Sequence, residues 1–279
     1  MKIFKRMVRY RDRKRRASYI IREIGGVRFK IPVIGGQINK NHEPWIISIL
    51  SVLMRLTEGA VIDVGVNLGQ TLLNVASIDR TRRILGFEPN ATCVDFVQRL
   101  IDMNELNVEI IPAGLGNMSS VFSLQIYQDD TDSRATIIEG FRGMRSRSRS
   151  VAVLAFSDIP DKRIPSPVGI IKIDVEGAEA DVIDGLKPLI ERDRPYMLVE
   201  ILPCHSEEDR ARIDRQEHIE KTLVDLDYKK VRVHHVEELL LEPIDKIGIH
   251  GSVALSDYLM VPSEKLEKIV QSFTIKPKV

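Results

Sequence analysis

The sequence predicts an α/β fold in which a mostly parallel sheet carries helices on both of its faces. From residue 60 onwards, apolar segments of strand length alternate with segments whose apolar residues recur at helical spacing. The strand segments at 60–64, 84–87 and 169–175 are almost continuously apolar, which is typical of strands buried on both faces. The chain has 279 residues, of which 43% are hydrophobic, so it can bury a sizeable core.

Each element follows from a local pattern. Glycines followed by alternating apolar residues predict a hairpin at 22–34, and Pro44 opens a helix whose apolar face includes Trp45, a predicted core residue. This hairpin and helix form an extension at 17–58, ahead of a main domain at 59–279. Besides the three strands above, the main domain has predicted strands at 108–111, 121–126, 151–154, 196–201, 228–233 and 257–262, and helices at 70–77, 91–103, 207–226 and from Gly177 through Leu186.

The first sixteen residues form a separate basic arm. They contain nine Lys or Arg and one Asp, in a chain whose formal net charge is only +1. One interpretation is a solvated arm. The other is attachment to an anionic membrane surface or a polyanion, because Ile3, Phe4, Met7, Val8 and Tyr10 alternate with the cations. The arm has no apolar segment of the kind that follows the basic start of a secretory signal.

Other features place the chain in the cytoplasm, where the arm would make it peripheral to the membrane. No apolar run is long enough to cross a bilayer, and the chain has two cysteines, Cys93 and Cys204, too few for a disulfide framework. The near-neutral composition does not indicate a nucleic-acid-binding protein. The Arg-Ser run at 145–150 is interpreted as a solvated loop, with a phosphate or acidic-substrate contact as the alternative.

A glycine-containing bend after the first strand predicts a cofactor site. Gly65 lets the backbone approach a ligand, and Gly69 lets the chain turn into the next helix. Asp63 suits a cofactor with a cationic sulfonium and ammonium, so we predict S-adenosylmethionine. NAD is disfavoured because its fingerprint needs glycine where Asn67 stands.

A second acidic residue supports this prediction. Glu88 ends the second strand, 19 residues after Gly69, and a carboxylate there can accept both hydroxyl hydrogens of a ribose. The alternative is that Glu88 only neighbours the helix start after Pro89.

Three segments together resemble the FkbM family of methyltransferases: Ile-Asp-Val-Gly-Val-Asn-Leu-Gly at 62–69, Phe-Glu-Pro at 87–89 and Ile-Ile-Lys-Ile-Asp-Val-Glu-Gly-Ala-Glu at 170–179. The similarity covers about residues 60–202, and 257–262 resembles the family's late strand. It implies a Rossmann-like class I methyltransferase fold with seven strands. It also implies O-methylation of hydroxyls on sugars, glycans, lipids or polyketide-like metabolites, with S-adenosylmethionine as cofactor.

The resemblance also implies which residues contact the cofactor. Asp63, Gly65, Asn67 and Gly69 would surround its methionine part, Glu88 and Pro89 the ribose, Gly116 and Asn117 the adenine, and Asp174 would lie near the transferred group. In this chain Leu154-Ala-Phe-Ser-Asp158 replaces the Thr-Leu-Asp-like segment that the family has before the fourth strand.

Transfer to a hydroxyl also requires a base within hydrogen-bond reach of that hydroxyl. Asp174 and Glu176 follow the fourth strand, Glu200 ends the fifth, and His205 lies in the next loop, so all four are candidate catalytic residues. Alternatively, Glu176 and Glu179 cap the helix at Gly177. Asp174 with Glu200 permits a divalent ion, but no third ligand is evident, so we predict no metal.

Two other functions stay open from the sequence. The basic arm prompts a nucleic-acid methyltransferase, although the chain lacks the Asn/Asp-Pro-Pro-aromatic segment that base methylation uses and has Asp174-Val-Glu-Gly there. A non-catalytic module that keeps the cofactor fold is the other alternative. The sequence does not determine the acceptor or the oligomeric state.

Overall fold

The N-terminal part of the chain forms a hairpin and one helix. The computed structural model describes residues 18–39, 43–141, 146–236 and 238–276, so the arm at 1–16 lies outside the described residues. Strand β1 (Tyr19–Ile24) pairs antiparallel with β2 (Val27–Pro32), and helix α1 (Pro44–Leu56) follows. Because α1 repeats its apolar residues every three or four positions, Ile46, Ile49 and Leu53 are buried together on one face.

The rest of the described chain alternates strands and helices. In chain order these are β3 (Ala60–Val64), α2 (Gln70–Ile78), β4 (Ile84–Phe87), α3 (Ala91–Asn104), β5 (Val108–Ile111), β6 (Gly114–Gly116), β7 (Ser120–Ile126), β8 (Arg147–Ala155), β9 (Val168–Ile173), α4 (Glu179–Asp193), β10 (Tyr196–Glu200), α5 (Arg210–Asp225), β11 (Tyr228–His234), β12 (Leu240–Ile244), β13 (Asp257–Pro262) and α6 (Leu266–Ser272).

The central sheet has eight strands in the order β5-β4-β3-β9-β10-β13-β11-β12. Strands β5, β4, β3, β9 and β10 are parallel, whereas β13 is antiparallel to both of its neighbours and β12 to β11. Residues of α1, α2 and α3 share one core cluster, and residues of α4 and α5 share the other, so helices cover both faces. The predicted Rossmann-like class I fold is confirmed, with eight strands instead of seven.

The eighth strand, β12, was not predicted because Leu-Leu-Glu-Pro-Ile lacks both alternation and a β-branched run. The Arg-Ser run was predicted as a loop, and this is wrong for residues 147–150. They begin β8, which pairs antiparallel with β7 in a separate three-stranded sheet. Residues 147–150 are exposed on both faces of the strand, so no apolar residues are needed there. The sequence therefore lacks the apolar pattern by which a strand is predicted. Among the described residues, no helix has the length and apolarity needed to cross a membrane.

The sequence predicted that this helix starts at Gly177, but helix α4 begins at Glu179. Glu176 and Gly177 have φ of +57° and +110°, which is outside the right-handed helical region. The ring of Phe141 packs against Gly177, where an added Cβ would lie 2.8 Å from it. The chain therefore makes a left-handed bend after β9 before the helix starts.

Candidate functional site

A cavity of about 380 Å³ opens at the carboxyl ends of the central parallel strands. Gly65 follows β3, Glu88 follows β4, Asp174 follows β9 and Glu200 ends β10, and all four line this cavity. Ligands of open α/β sheets bind at this edge, outside the carboxyl ends of the strands. The predicted site residues at these strand ends are thus brought to one place.

The bend after β3 is possible only because of its glycines. Gly65 has a φ of +89°, and a Cβ on it would lie 1.9 Å from the carbonyl oxygen of Asp174. Gly69 has a φ of +81° and occupies the N-cap of α2. The backbone amides at the start of α2 therefore face the carboxyl edge of the sheet, where the cavity lies.

Glu88 is held in the cavity wall by two backbone amides. The N–H of Asn67 donates to its Oε2 at 2.7 Å, and the N–H of Asn90 donates to its Oε1 at 2.8 Å. The residue is 6% exposed, and burial raises its pKa to about 7 although both amides lower it. Because each carboxylate oxygen can accept two hydrogen bonds, both keep acceptor capacity for a ligand in the cavity.

Asp63 lies beneath the cavity and does not line it. It is fully buried, and neither carboxylate oxygen has a hydrogen-bond partner among the described residues. Lys172 is its direct neighbour on β9, and Lys172 Nζ contacts Asp174 Oδ2 at 2.9 Å. Burial raises the pKa of Asp63 to about 7, and Lys172 limits that rise. Asp63 is absent from the cavity wall, and its predicted contact with the cofactor stays a prediction.

Lys172 is the central cation of the cavity floor. Burial lowers its pKa, but Asp174 and Asp63 raise it by more, so the pKa lies above the ordinary value for lysine. Lys172 thus stays charged and orients the carboxylate of Asp174 from below.

Three further carboxylates surround Asp174. Glu176 and Glu200 line the cavity, as does Glu43, which immediately precedes α1. Asp174, more than burial, raises the pKa of Glu200 to about 10. Burial likewise raises the pKa of Glu43. Glu200 therefore holds a proton at neutral pH in the protein without ligand.

Sequence reasoning missed Glu43 because it lies far from the strand ends along the chain. Its position depends on α1, whose Trp45 stacks on the ring of His235 with centroids 4.4 Å apart and planes 9° apart. His235 Nε2 in turn lies 3.1 Å from Asp257 Oδ2. Trp45, predicted as core, is partly buried and fixes α1 against the end of β11. A carboxylate before a helix-opening proline was the only local signal.

The capping alternative is wrong for both carboxylates, because the N-cap of α4 is Ala178 and no side chain makes a capping hydrogen bond there. Glu179 is 4% exposed, and its Oε1 accepts the backbone N–H of Gly177 at 2.8 Å. Glu176 lines the cavity, and its backbone carbonyl accepts the hydroxyl of Thr136 at 2.6 Å. The two carboxylates of this segment thus have different roles.

Apart from Asp63, five predicted site residues do not line the cavity: Gly69, which is the N-cap of α2, and His205, Asn117, Gly116 and Pro89. His205 is exposed in the loop after β10 and lies beside Gly251, 3.7 Å from where a Cβ would be. Asn117 donates from Nδ2 to Asp181 Oδ1 at 3.1 Å. Gly116 packs its carbonyl against Gly185 of α4, and Pro89 is half-buried next to Glu88. The predicted adenine contacts of Gly116 and Asn117 therefore stay predictions.

The segment 127–134 closes one side of the cavity. Asn67 Nδ2 donates to the carbonyl of Thr131 at 3.3 Å, and Asn90 Nδ2 donates to that of Asp130 at 2.8 Å. Arg149 contacts Asp130 Oδ1 at 2.8 Å. Ser133 and Arg134 from this segment line the cavity. Arg147 and Arg149 of the Arg-Ser run thus form ion pairs with Asp130 of this segment, and the sequence alone does not predict these contacts.

The wall of the cavity is predominantly acidic. It contains Glu43, Glu88, Asp174, Glu176 and Glu200, together with the cations Lys172 and Arg134. Lys172 pairs with Asp174, and Arg134 Nε lies 3.4 Å from Asp132 Oδ1. Such a cavity suits a ligand with positive charge. Among the described residues, no three His, Cys, Asp or Glu side chains are grouped as a metal ion would require.

Comparisons with known proteins agree with this geometry. The family model described as the methyltransferase FkbM domain matches residues 63–242. None of the curated protein sequences matches the chain. Similar solved structures include a methyltransferase FkbM from Methylobacillus flagellatus, with 16% identity and a TM-score of 0.44, over 72% of this chain and 43% of that one. This chain therefore spans less than half of the length of that protein.

Two other structures are similar over most of both chains. A putative caffeoyl-CoA O-methyltransferase from Staphylococcus aureus has 11% identity and a TM-score of 0.43, over 82% of this chain and 84% of that one. Fibrillarin from Aeropyrum pernix, solved with natively bound S-adenosyl-L-methionine, has 13% identity and a TM-score of 0.42, over 88% and 98%.

The family model covers both segments that supply the cavity, the glycine bend after β3 and the Asp-Val-Glu-Gly turn after β9. Its match confirms the predicted family and, with it, the predicted cofactor S-adenosylmethionine. The chain belongs to the FkbM methyltransferase family.

Proposed function

We propose that this protein transfers a methyl group from S-adenosylmethionine to a hydroxyl of an uncharged acceptor, such as a sugar, glycan, lipid or polyketide-like metabolite. The observation that carries this proposal is the presence of Asp174 and Glu200 in the same cavity as Glu88. Glu88 provides the acceptor atoms for a ribose, and Asp174 provides a base for the hydroxyl.

The residues present fit the cofactor. Glu88 has acceptor capacity on both oxygens, and the acidic wall compensates for a sulfonium and an ammonium group. The backbone of the 65–69 bend borders the same cavity, because Gly65 carries no side chain that would fill the space. Bound S-adenosylmethionine supplies an electrophilic methyl group. The protein positions the acceptor and removes its proton.

Asp174 and Glu200 act as a pair toward the acceptor proton. The charge of Asp174 raises the pKa of Glu200 to about 10, so Glu200 is protonated near neutral pH. The carboxylate of Asp174 accepts the hydroxyl proton as the oxygen becomes nucleophilic, and protonated Glu200 can donate a hydrogen bond in the same cavity. Lys172, bonded to Asp174 Oδ2 at 2.9 Å, holds that side chain in place.

The acidic wall also selects the acceptor. An anionic group next to Asp174 and Glu176 would meet like charges at short range, which is unfavourable. An uncharged hydroxyl compound does not have this cost. For the same reason a phosphate-rich nucleic acid is a poor fit to this cavity.

A methyl-transfer screen tests the proposal. Purified protein is incubated with radiolabelled S-adenosylmethionine and fractions of cell extract that contain sugars, glycans or lipids. Wild type and the control Glu191→Gln, an exposed change on α4, should label the same fraction, and Asp174→Asn should not. Equal labelling by Asp174→Asn would refute its role. Cofactor binding without labelling of any fraction would favour a non-catalytic module.

A further inference from the structure

The β1–β2 hairpin has an outer face that is both apolar and cationic. In the antiparallel register, Tyr19 lies opposite Pro32, Ile21 opposite Lys30 and Glu23 opposite Arg28. Directly opposed residues share one side of a sheet, and we call these six residues the hairpin face. The alternate positions Ile24, Phe29 and Ile31 are at most 3% exposed and belong to the main core.

Large apolar side chains are exposed at this surface. Tyr19 is 50% exposed and Ile21 is 53% exposed on the hairpin face, and Ile20, on the opposite side of the strand, is 38% exposed. A half-buried strand normally places polar residues on its exposed face, so two neighbouring large apolar side chains there are unusual. Isolated exposed apolar residues are common on protein surfaces, whereas contiguous ones mark interaction sites.

Cations surround these apolar residues. Arg28 and Lys30 are exposed, and Lys30 Nζ lies 5.8 Å from the centroid of the Tyr19 ring. Exposed Arg80 joins them at the rim of a groove of about 490 Å³ that also contacts Ile21. The carboxylates of Glu23 and Glu105 lie at the same surface, so its own net charge is small.

The basic arm precedes the hairpin directly in the sequence. Residues 1–16 contain nine Lys or Arg and one Asp, and only Ala17 and Ser18 separate them from β1. The strand that carries Tyr19 and Ile21 is therefore joined to a segment with an excess of positive charge.

The hairpin is remote from the cavity. A Cβ on Gly25 would lie 2.6 Å from Oγ of Ser77, near the end of α2. The backbone N–H and carbonyl of Lys30 both bond, at 2.8 Å, to the side chain of Asn104, which ends α3. Helices that connect parallel strands run back along the sheet, so these helix ends lie at the edge opposite the cavity.

We propose that the hairpin face, together with the basic arm, docks this protein on a membrane surface that contains anionic lipid. The cations are attracted by the negative surface potential, and the Tyr19 ring and the Ile21 side chain enter the headgroup region. Stable attachment to a membrane generally needs two signals, and here these are a polybasic segment and an apolar patch. A nucleic acid would use the cations and could stack a base on Tyr19, but it would leave Ile21 without a role. Docking at this edge leaves the cavity open.

Co-sedimentation of the full chain with vesicles tests the proposal. Phosphatidylcholine vesicles with and without phosphatidylserine are compared for wild type, Tyr19→Ser/Ile21→Ser and the control Val121→Ser. Val121 is 71% exposed on β7, so its change removes apolar surface elsewhere. We expect wild type and Val121→Ser to bind vesicles only when these contain phosphatidylserine. The affinity of Tyr19→Ser/Ile21→Ser for these vesicles should be roughly tenfold weaker than that of wild type, because burial of apolar side chains adds to the charge effect.

A second measurement reports insertion directly. Cys93 and Cys204 are both buried, so a polarity-sensitive dye on Ile21→Cys would label the hairpin selectively. Its emission should shift to shorter wavelength on phosphatidylserine vesicles and stay unchanged with RNA. Equal vesicle binding by wild type and Tyr19→Ser/Ile21→Ser, or tighter binding to RNA than to vesicles with no dye shift, would overturn the proposal.

Discussion

Replacement of Glu88 by Gln should weaken cofactor binding without destabilising the protein. The change keeps the shape of the side chain and removes its charge. In the wild type, the carboxylate accepts the N–H groups of Asn67 and Asn90 and keeps acceptor capacity for a ribose diol. In the variant, only one side-chain oxygen remains, and the amide NH₂ must face one of two backbone N–H groups. One ribose hydroxyl therefore loses its acceptor.

The structure sets the size of both effects. A hydrogen bond to a charged group contributes about 1.5–3 kcal/mol, so the loss of one such bond predicts cofactor affinity lower by roughly 10-fold to 150-fold. The pKa of Glu88 is raised from 4.5 to about 7 by burial. Above pH 7, the buried ionised carboxylate therefore lowers the free energy of unfolding of the unliganded protein by up to about 3 kcal/mol. The neutral amide in Glu88→Gln does not have this cost.

Two measurements on the same variant separate binding from stability. Isothermal calorimetry gives the cofactor Kd for wild type, Glu88→Gln and the exposed control Glu191→Gln, and thermal unfolding at pH 8 gives the Tm without ligand. We expect a weaker Kd and an unchanged or higher Tm for Glu88→Gln alone. A Kd within threefold of wild type would show that Glu88 does not hold the ribose. A lower Tm would show that its two amide hydrogen bonds outweigh the cost of burial.

Other predictions concern the rest of the cavity. Gly65→Ala places a Cβ 1.9 Å from the carbonyl oxygen of Asp174 at a φ of +89°, so the bend must shift. Because the backbone amides of the bend then move, the cofactor affinity measured by calorimetry should fall at least about 100-fold. A smaller loss would mean that the bend does not contact the cofactor. Glu200→Gln should leave kcat for methyl transfer within about threefold of wild type, because Gln keeps the neutral charge of protonated Glu200, and a loss of about 100-fold would instead show that Glu200 is the base. His205→Ala should leave kcat and the cofactor Kd unchanged, because His205 lies outside the cavity wall. The Tm of the unliganded protein should fall as pH rises from 5 to 9. Raised pKa values of about 7 at Asp63, Glu88 and Glu179 favour the protonated fold, so stability is lost as pH rises through those values. A Tm that rises between about pH 5 and 9 would show that burial does not raise the pKa values of these three carboxyl groups.

The sequence by itself determined the central strands and the residues at their ends. Strands β3, β4 and β5 were predicted with the bounds that the structure has. Strands β3 and β4 are buried on both faces and are therefore short, continuously apolar runs in the sequence, whereas the edge strand β5 is partly exposed and contains Glu109. The rule that ligands bind at the carboxyl ends of parallel strands then placed Glu88, Asp174 and Glu200 in one site. These features depend on local composition and on one general property of α/β sheets.

Only the tertiary structure decided which other residues share that site. Glu43 reaches the cavity through the packing of α1. Ser133 and Arg134 reach it because the preceding carbonyls of Asp130 and Thr131 accept hydrogen bonds from Asn90 and Asn67, which no spacing along the chain encodes. The same packing puts Asp63 beneath the floor and His205 outside the wall. A side chain's direction and burial depend on neighbours that are distant in sequence, and local patterns record which elements form but not which of their surfaces meet.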